Sequence, residues 1–141
     1  MPVGMRTFTV ATDAPPDVAW RLLARPADWG RWSPHLRGAW GLGDPEVRRG
    51  ACGAARLLGV VPVPARVTGK RVGRSWSWRV GAVVMTHRVE RRAGGGATVA
   101  IDLTAPGPLE RAVALAYGPL IDVSLRRLAR EAERVVGTPA R

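Results

Sequence analysis

Residues 108–136 read PLERAVALAYGPLIDVSLRRLAREAERVV, and the spacing of their apolar side chains predicts one long helix. Apolar residues recur every three or four positions, at Val113, Tyr117, Ile121, Leu125, Leu128, Ala132 and Val135. Charged residues fall between them, so one face of the helix is apolar and the other is charged. Pro108 suits the first helical position, and Gly137 with Pro139 ends the helix. Such an apolar face must be covered by the rest of the chain.

The residues before this helix alternate apolar and polar side chains, as β-strands do. One strand is predicted at Arg6–Val10, followed by two short helices over residues 17–24 and 27–32. Glycine and proline then separate further predicted strands. These strands cover residues 36–42, 50–58, 61–72, 74–80, 83–90 and 98–104. The element order predicts an α+β fold, in which a curved antiparallel sheet of about seven strands wraps around the long helix.

Length and composition limit the classes of protein to which this chain can belong. Its 141 residues, 46% of them hydrophobic, predict a single domain over residues 1–141. Cys52 is the single cysteine, so no internal disulfide and no metal site are expected. The sequence contains no phosphate-binding loop, nucleophile elbow or metalloprotease motif, and we expect no cofactor. No apolar run resembles a signal peptide or reaches the roughly 18 residues of a membrane span, so we expect a cytoplasmic protein.

The formal net charge of +11 raises the question of an anionic partner. Nucleic acid or an anionic membrane surface would provide one, and binding to either would fall steeply with salt. The arginines are spread through the chain, however, and no run of Lys and Arg exceeds two residues. This dispersion favours a solvated surface. A basic interaction module, and nucleic acid as its partner, therefore rank below a small-molecule ligand.

Several stretches resemble one known family. Residues 14–20, APPDVAW, and 25–34, RPADWGRWSP, are similar to the opening motifs of the polyketide cyclase/dehydrase and lipid-transport family, a branch of the SRPBCC or START-like superfamily. Residues 85–90, MTHRVE, the glycine turn before Thr98, and residues 128–133, LAREAE, also match its pattern. The resemblance implies a helix-grip fold with an apolar cavity between the sheet and the long helix, open at one end.

The strand faces next to such a cavity offer candidate ligand-binding residues. Trp76 and Trp78 share one strand face, and their indoles are suited to stack on a flat ring system. His87 shares a face with Met85 and is the one candidate catalytic residue, because an imidazole can hydrogen-bond a ligand carbonyl or transfer a proton. The predicted ligand-binding residues are Trp76, Trp78, Met85, His87, Ile101, Tyr117 and Ile121.

Two hypotheses use this cavity. In the first, the protein is a carrier or sensor for one hydrophobic or amphipathic small molecule, such as a lipid or a polyketide-like compound. In the second, it is a polyketide cyclase, aromatase or dehydratase, in which His87, Tyr117 or an inward-facing arginine handles protons and the enolate. The sequence leaves open which strand face is concave, although Arg66, Arg79 and Arg88 are expected in solvent.

Three further expectations concern individual positions. Trp20, Trp29 and Trp32 are expected to pack the short helices against the sheet. His35 follows a serine-proline pair in a predicted loop near the cavity mouth. Gly118-Pro119 lies inside the long helix, where proline removes a backbone hydrogen bond, so a bend or a local opening is expected there.

Overall fold

The computed structural model describes residues 3–34, 36–57 and 61–137. Within these ranges seven strands form one open antiparallel sheet. They are β1 Val3–Thr12, β2 Leu36–Trp40, β3 Cys52–Leu57, β4 Val61–Arg71, β5 Ser75–Val80, β6 Val83–Arg91 and β7 Ala97–Pro106. The strand order is β1-β7-β6-β5-β4-β3-β2, so β1 and β2 are the edges. Most strands join their sequence neighbour, and only the β1–β7 pair brings together distant parts of the chain.

The helices complete a helix-grip fold. Helix α1 covers Pro16–Ala24, a 3-10 helix covers Pro26–Arg31, and the long helix α2 covers Gly107–Gly137. The predicted fold class and element order are therefore confirmed. Leu58, at the end of one predicted strand, and His35, predicted near the cavity mouth, lie outside the described residues.

Helix α2 buries the apolar face that its spacing predicts. It packs mainly against β1, β7 and α1. Its fully buried apolar residues are Ile121, Leu125, Leu128, Ala129 and Ala132. Nearer its N-terminus, Val113 and Tyr117 are only half-buried. Because the helix lies over the β1–β7 side of the sheet, a space remains between its N-terminal half and the strands that follow β7 in the sheet.

Polar contacts tie both ends of α2 to strand β1. Near the start of the helix, Nε of Arg6 donates a hydrogen bond of 2.6 Å to the Glu110 carboxylate. That carboxylate lies in the first helical turn, where the helix dipole favours negative charge. Near the other end, the Glu133 carboxylate accepts hydrogen bonds from the Thr12 hydroxyl at 2.9 Å and the Asp13 backbone N–H at 3.1 Å. These contacts fix where the helix sits over the sheet.

The helix continues without interruption through Gly118 and Pro119. Gly118 is buried against β1, and a Cβ atom at this position would lie 3.4 Å from the Phe8 ring. A Cβ atom here would therefore make ordinary van der Waals contact with that ring. Pro119 is exposed on the other side of the helix. A bend of the helix axis at this point stays a prediction.

Candidate functional site

A cavity of about 200 Å³ lies between α2 and the inner face of the sheet. Fifteen of the described residues line it, and they come from α2, from strands β2 to β7 and from the segment before β2. They are Trp32, Ser33, Leu36, Ala55, Val63, Trp78, Val80, Val83, Met85, His87, Ile101, Val113, Tyr117, Ile121 and Ser124. None of the fifteen is Asp, Glu, Lys or Arg. The cavity is therefore a mainly apolar space with a few neutral polar groups.

The alternation of side chains along β5 and β6 forms one wall of the cavity. Trp78 on β5 pairs with Met85 on β6, and both point inward together with His87. The residues between them occupy the outer face. There Nε of Arg88 donates a hydrogen bond of 2.7 Å to the carboxylate of Asp102 on β7. The face that carries His87 is thus the concave one, a point that the sequence left open.

Three tryptophans and His87 form one aromatic cluster behind and beside the cavity. Trp76 stacks on His87 with ring centroids 3.9 Å apart and on Trp29 with centroids 5.5 Å apart. Trp78 meets all three rings edge-on. The indole N–H groups of Trp29 and Trp76 both donate to the backbone carbonyl of Leu23, at 3.0 and 3.1 Å. The cluster thereby links α1 and the 3-10 helix to the cavity wall.

The surroundings of His87 determine its protonation state. Its Nδ1 lies 3.3 Å from the backbone carbonyl oxygen of Trp76. Because a carbonyl only accepts, Nδ1 carries the proton and Nε2 is left as a hydrogen-bond acceptor. Burial removes the water that would solvate an imidazolium, and it lowers the pKa of His87 from 6.5 to about 4. At neutral pH the side chain is therefore an uncharged imidazole.

Two other polar groups of the cavity wall lack partners. Across the described residues, three buried side-chain polar atoms make no hydrogen bond, namely Nε of Arg25, Nε1 of Trp78 and Oγ of Ser124. The last two belong to residues that line the cavity. A buried donor without a partner loses about 1–3 kcal/mol of solvation, and such groups in native structures call for an explanation. A ligand that accepts a hydrogen bond would explain these unpaired groups.

Most of the predicted ligand-binding residues lie together at this cavity. Trp78, Met85, His87, Ile101, Tyr117 and Ile121 line it. Trp76 does not line it, and its predicted contact with a ligand stays a prediction. Its ring stacks on Trp29 and His87 and its N–H is bound to a carbonyl, so it holds the imidazole from behind. Contact of the other six with a ligand stays a prediction.

The remaining tryptophans divide into buried and exposed. Trp20, Trp29 and Trp32 are all buried near the short helices, as expected. Trp32 also lines the cavity, while its N–H donates to the Leu22 carbonyl at 2.9 Å. Trp40 is half exposed, and the Arg56 guanidinium lies 5.7 Å from its ring centroid. Trp32 thus has two roles, packing the short helices and lining the cavity, and the sequence predicted only the first.

Sequence reasoning also missed several lining residues that simple periodicity indicates. Val80 and Val83 continue the inward alternation of Trp78 and Met85 across the β5–β6 turn. On α2, Val113 lies four residues before Tyr117, and Ser124 lies three residues after Ile121, so these pairs share a helix face. Ala55 and Val63 face the cavity from β3 and β4, and only the sheet register identifies them.

A helix-grip fold with a cavity between sheet and helix is the architecture of START-like domains. The family model for polyketide cyclase/dehydrase and lipid transport matches residues 5–133, and the chain belongs to this family. Among curated proteins, no sequence shows significant similarity to it.

Solved structures share the fold at low sequence identity. A protein from Thermobifida fusca is similar with a TM-score of 0.76, 17% identity and coverage of 96% of this chain and 97% of that one. Protein SSP2350 from Staphylococcus saprophyticus gives a TM-score of 0.75 at 13% identity, with 98% of both chains covered. A START superfamily protein from Mycobacterium smegmatis gives 0.69 at 14% identity, covering 93% of this chain and 98% of that one. These similarities establish the fold.

In residues 3–34, 36–57 and 61–137, no three His, Cys, Asp or Glu side chains are grouped so that they would hold a metal ion. The helices of these same ranges also include none with the length and apolar character of a membrane span.

Proposed function

We propose that this protein binds one small, largely apolar molecule in the cavity under α2, as a carrier or sensor. The observation that carries the proposal is the cavity itself, about 200 Å³ of space lined by fifteen residues without a charged side chain. Protein interiors are otherwise packed about as densely as organic crystals. A void of this size, beside unpaired polar atoms, is consistent with a site kept for a ligand.

Binding is better supported than catalysis. A general base works best with a pKa near the working pH, and burial holds the pKa of His87 at about 4. Its Nδ1 contacts a backbone carbonyl, and the charge of Asp102, on the outer face of the sheet, offsets only part of the effect of burial. These features fit an imidazole that accepts a hydrogen bond. Turnover of a polyketide-like chain remains the second hypothesis, and a His87→Ala variant with unchanged turnover would remove His87 as its base.

The test compares two phenylalanine substitutions on the same helix. Val113→Phe adds a ring on the side of α2 that lines the cavity, whereas Leu115→Phe adds one at a position that is 82% exposed. Naphthalene serves as the probe, because it is apolar, uncharged and small enough for the cavity. Isothermal titration calorimetry measures its affinity for the wild type and for both variants.

We expect the wild type and Leu115→Phe to bind naphthalene equally, and Val113→Phe to bind it at least tenfold more weakly, because its ring occupies the cavity. Circular dichroism confirms that both variants are folded. Native mass spectrometry of the purified wild type, followed by denaturing extraction, identifies any compound that it retains. Equal affinity in all three proteins would refute binding in this cavity.

A further inference from the structure

The second inference concerns the chemical class of the ligand, and it rests on the proposed function. A charged ligand group would lose its hydration on entering the cavity, and that loss strongly disfavours its binding. None of the fifteen lining residues offers a charge to offset that loss. The part of the ligand inside the cavity must therefore be uncharged, which excludes a buried carboxylate, phosphate or ammonium.

His87 provides a hydrogen-bond acceptor in the cavity wall. The backbone carbonyl of Trp76 fixes the Nδ1 tautomer of His87, and stacking on the Trp76 ring fixes the plane of the imidazole. Since Nδ1 is turned toward the β5 backbone, the opposite side of the ring, with Nε2, is the part left to line the cavity. Nε2 has no hydrogen-bond partner among the residues that the structure describes. A ligand group must donate a hydrogen to satisfy it.

The wall also contains donors without partners. Nε1–H of Trp78, on the sheet, and the hydroxyl of Ser124, on α2, have no hydrogen-bond partner within the part of the chain that the structure describes. A ligand hydroxyl can donate to one group and accept from another through a single oxygen atom. An ether or a ketone can accept but cannot donate, so it would leave His87 Nε2 unsatisfied.

We propose that the ligand is an uncharged phenol or alcohol whose hydroxyl group donates to Nε2 of His87. Its hydrocarbon part is small, because a cavity of about 150 Å³ holds benzene and this one measures about 200 Å³. One ring, or two fused rings, fills that space.

Four bicyclic probes of nearly equal size separate the parts of this proposal. The first is 2-naphthol, which donates and accepts; the second is 2-methoxynaphthalene, which only accepts; the third is naphthalene, which does neither; and the fourth is the anion 2-naphthoate. Calorimetry gives the affinity of each probe for the wild type and for His87→Phe. This variant keeps an aromatic ring beside Trp76 but removes the acceptor.

We expect the wild type to bind 2-naphthol about tenfold more tightly than 2-methoxynaphthalene or naphthalene, as one added hydrogen bond permits, and to show no binding of 2-naphthoate. In His87→Phe the preference for 2-naphthol disappears while naphthalene still binds. A 2-naphthol preference that survives in His87→Phe, or tight binding of 2-naphthoate, overturns the proposal. Naphthalene binding without any 2-naphthol preference in the wild type overturns it too, but leaves the proposed function standing.

A second measurement covers the case in which His87→Phe does not fold. NMR of the imidazole nitrogens in the labelled wild type should show the His87 Nε2 resonance moving on addition of 2-naphthol and unmoved by 2-methoxynaphthalene. An unmoved resonance with bound 2-naphthol refutes the hydrogen bond. If none of the four probes binds the wild type, the proposed function fails as well.

Discussion

Replacement of His87 by glutamine tests whether the folded protein holds this imidazole uncharged. The wild-type side chain is 5% exposed, and its pKa falls from 6.5 to about 4 because burial disfavours the imidazolium. In the unfolded chain the pKa returns to its ordinary value. As the pH falls below that value, the unfolded chain takes up a proton that the folded protein refuses, and the wild type loses stability.

The size of this loss follows from the two pKa values. Stability linked to neutral His87 is complete above the unfolded pKa of 6.5 and falls as the pH approaches the folded pKa of about 4. The loss is about 2 kcal/mol at pH 5 and about 3 kcal/mol at pH 4, and it changes little at lower pH. The charge of Asp102, on the outer face, acts in the opposite sense and is already included in that pKa.

Urea denaturation of the wild type and His87→Gln at a series of pH values measures this contribution. Carboxylates also titrate in this range, but they are the same in both proteins and cancel in the difference. We expect the free energy of unfolding of the wild type, relative to His87→Gln, to fall by about 3 kcal/mol between pH 7 and pH 4. Parallel curves would show that His87 has the same pKa in the folded protein as in the unfolded chain, and the acceptor role would be lost with them.

Three further predictions concern stability. Gly43→Ala should lower the melting temperature more than Gly94→Ala: both glycines have positive φ, but only at Gly43 would a Cβ press against neighbouring backbone. Leu128→Ala should reduce the free energy of unfolding by about 2–5 kcal/mol in urea denaturation, and exposed Leu115→Ala by under about 0.5 kcal/mol. Glu133→Gln should lose about 1 kcal/mol in the same assay, since its charge-assisted hydrogen bonds to β1 weaken. Equal effects within either matched pair, or an unchanged Glu133→Gln, would contradict these assignments.

The sequence predicted the fold well because each element has its own local signal. The period of apolar residues in α2 depends only on helix geometry, and the alternation in β5 and β6 depends only on strand geometry. The predicted bounds of α2, β5 and β6 agree with the structure to within one or two residues at each end. Local patterns do not predict how the elements pack together. The resemblance to a known family provided that information, namely that the sheet wraps around the helix.

The candidate site was harder to predict, because alternation assigns a face but gives no position under the helix. Trp76 and Trp78 share a face, yet one supports His87 from behind and the other lines the cavity. The difference arises because Trp29, from the 3-10 helix, stacks on Trp76. Likewise, Ser124 is a candidate ligand contact only because the fold places it in the cavity lining. Such facts depend on contacts between distant parts of the chain.

The aromatic cluster also gives this protein a natural optical signal. Trp29 and Trp76 are nearly parallel, at 9° between ring planes, with centroids 5.5 Å apart. Rings this close perturb each other's electronic transitions, so the pair should contribute to the circular dichroism of the protein. Trp78 adjoins both the pair and the cavity wall. Occupation of the cavity is therefore expected to alter the spectrum of the protein without any attached dye.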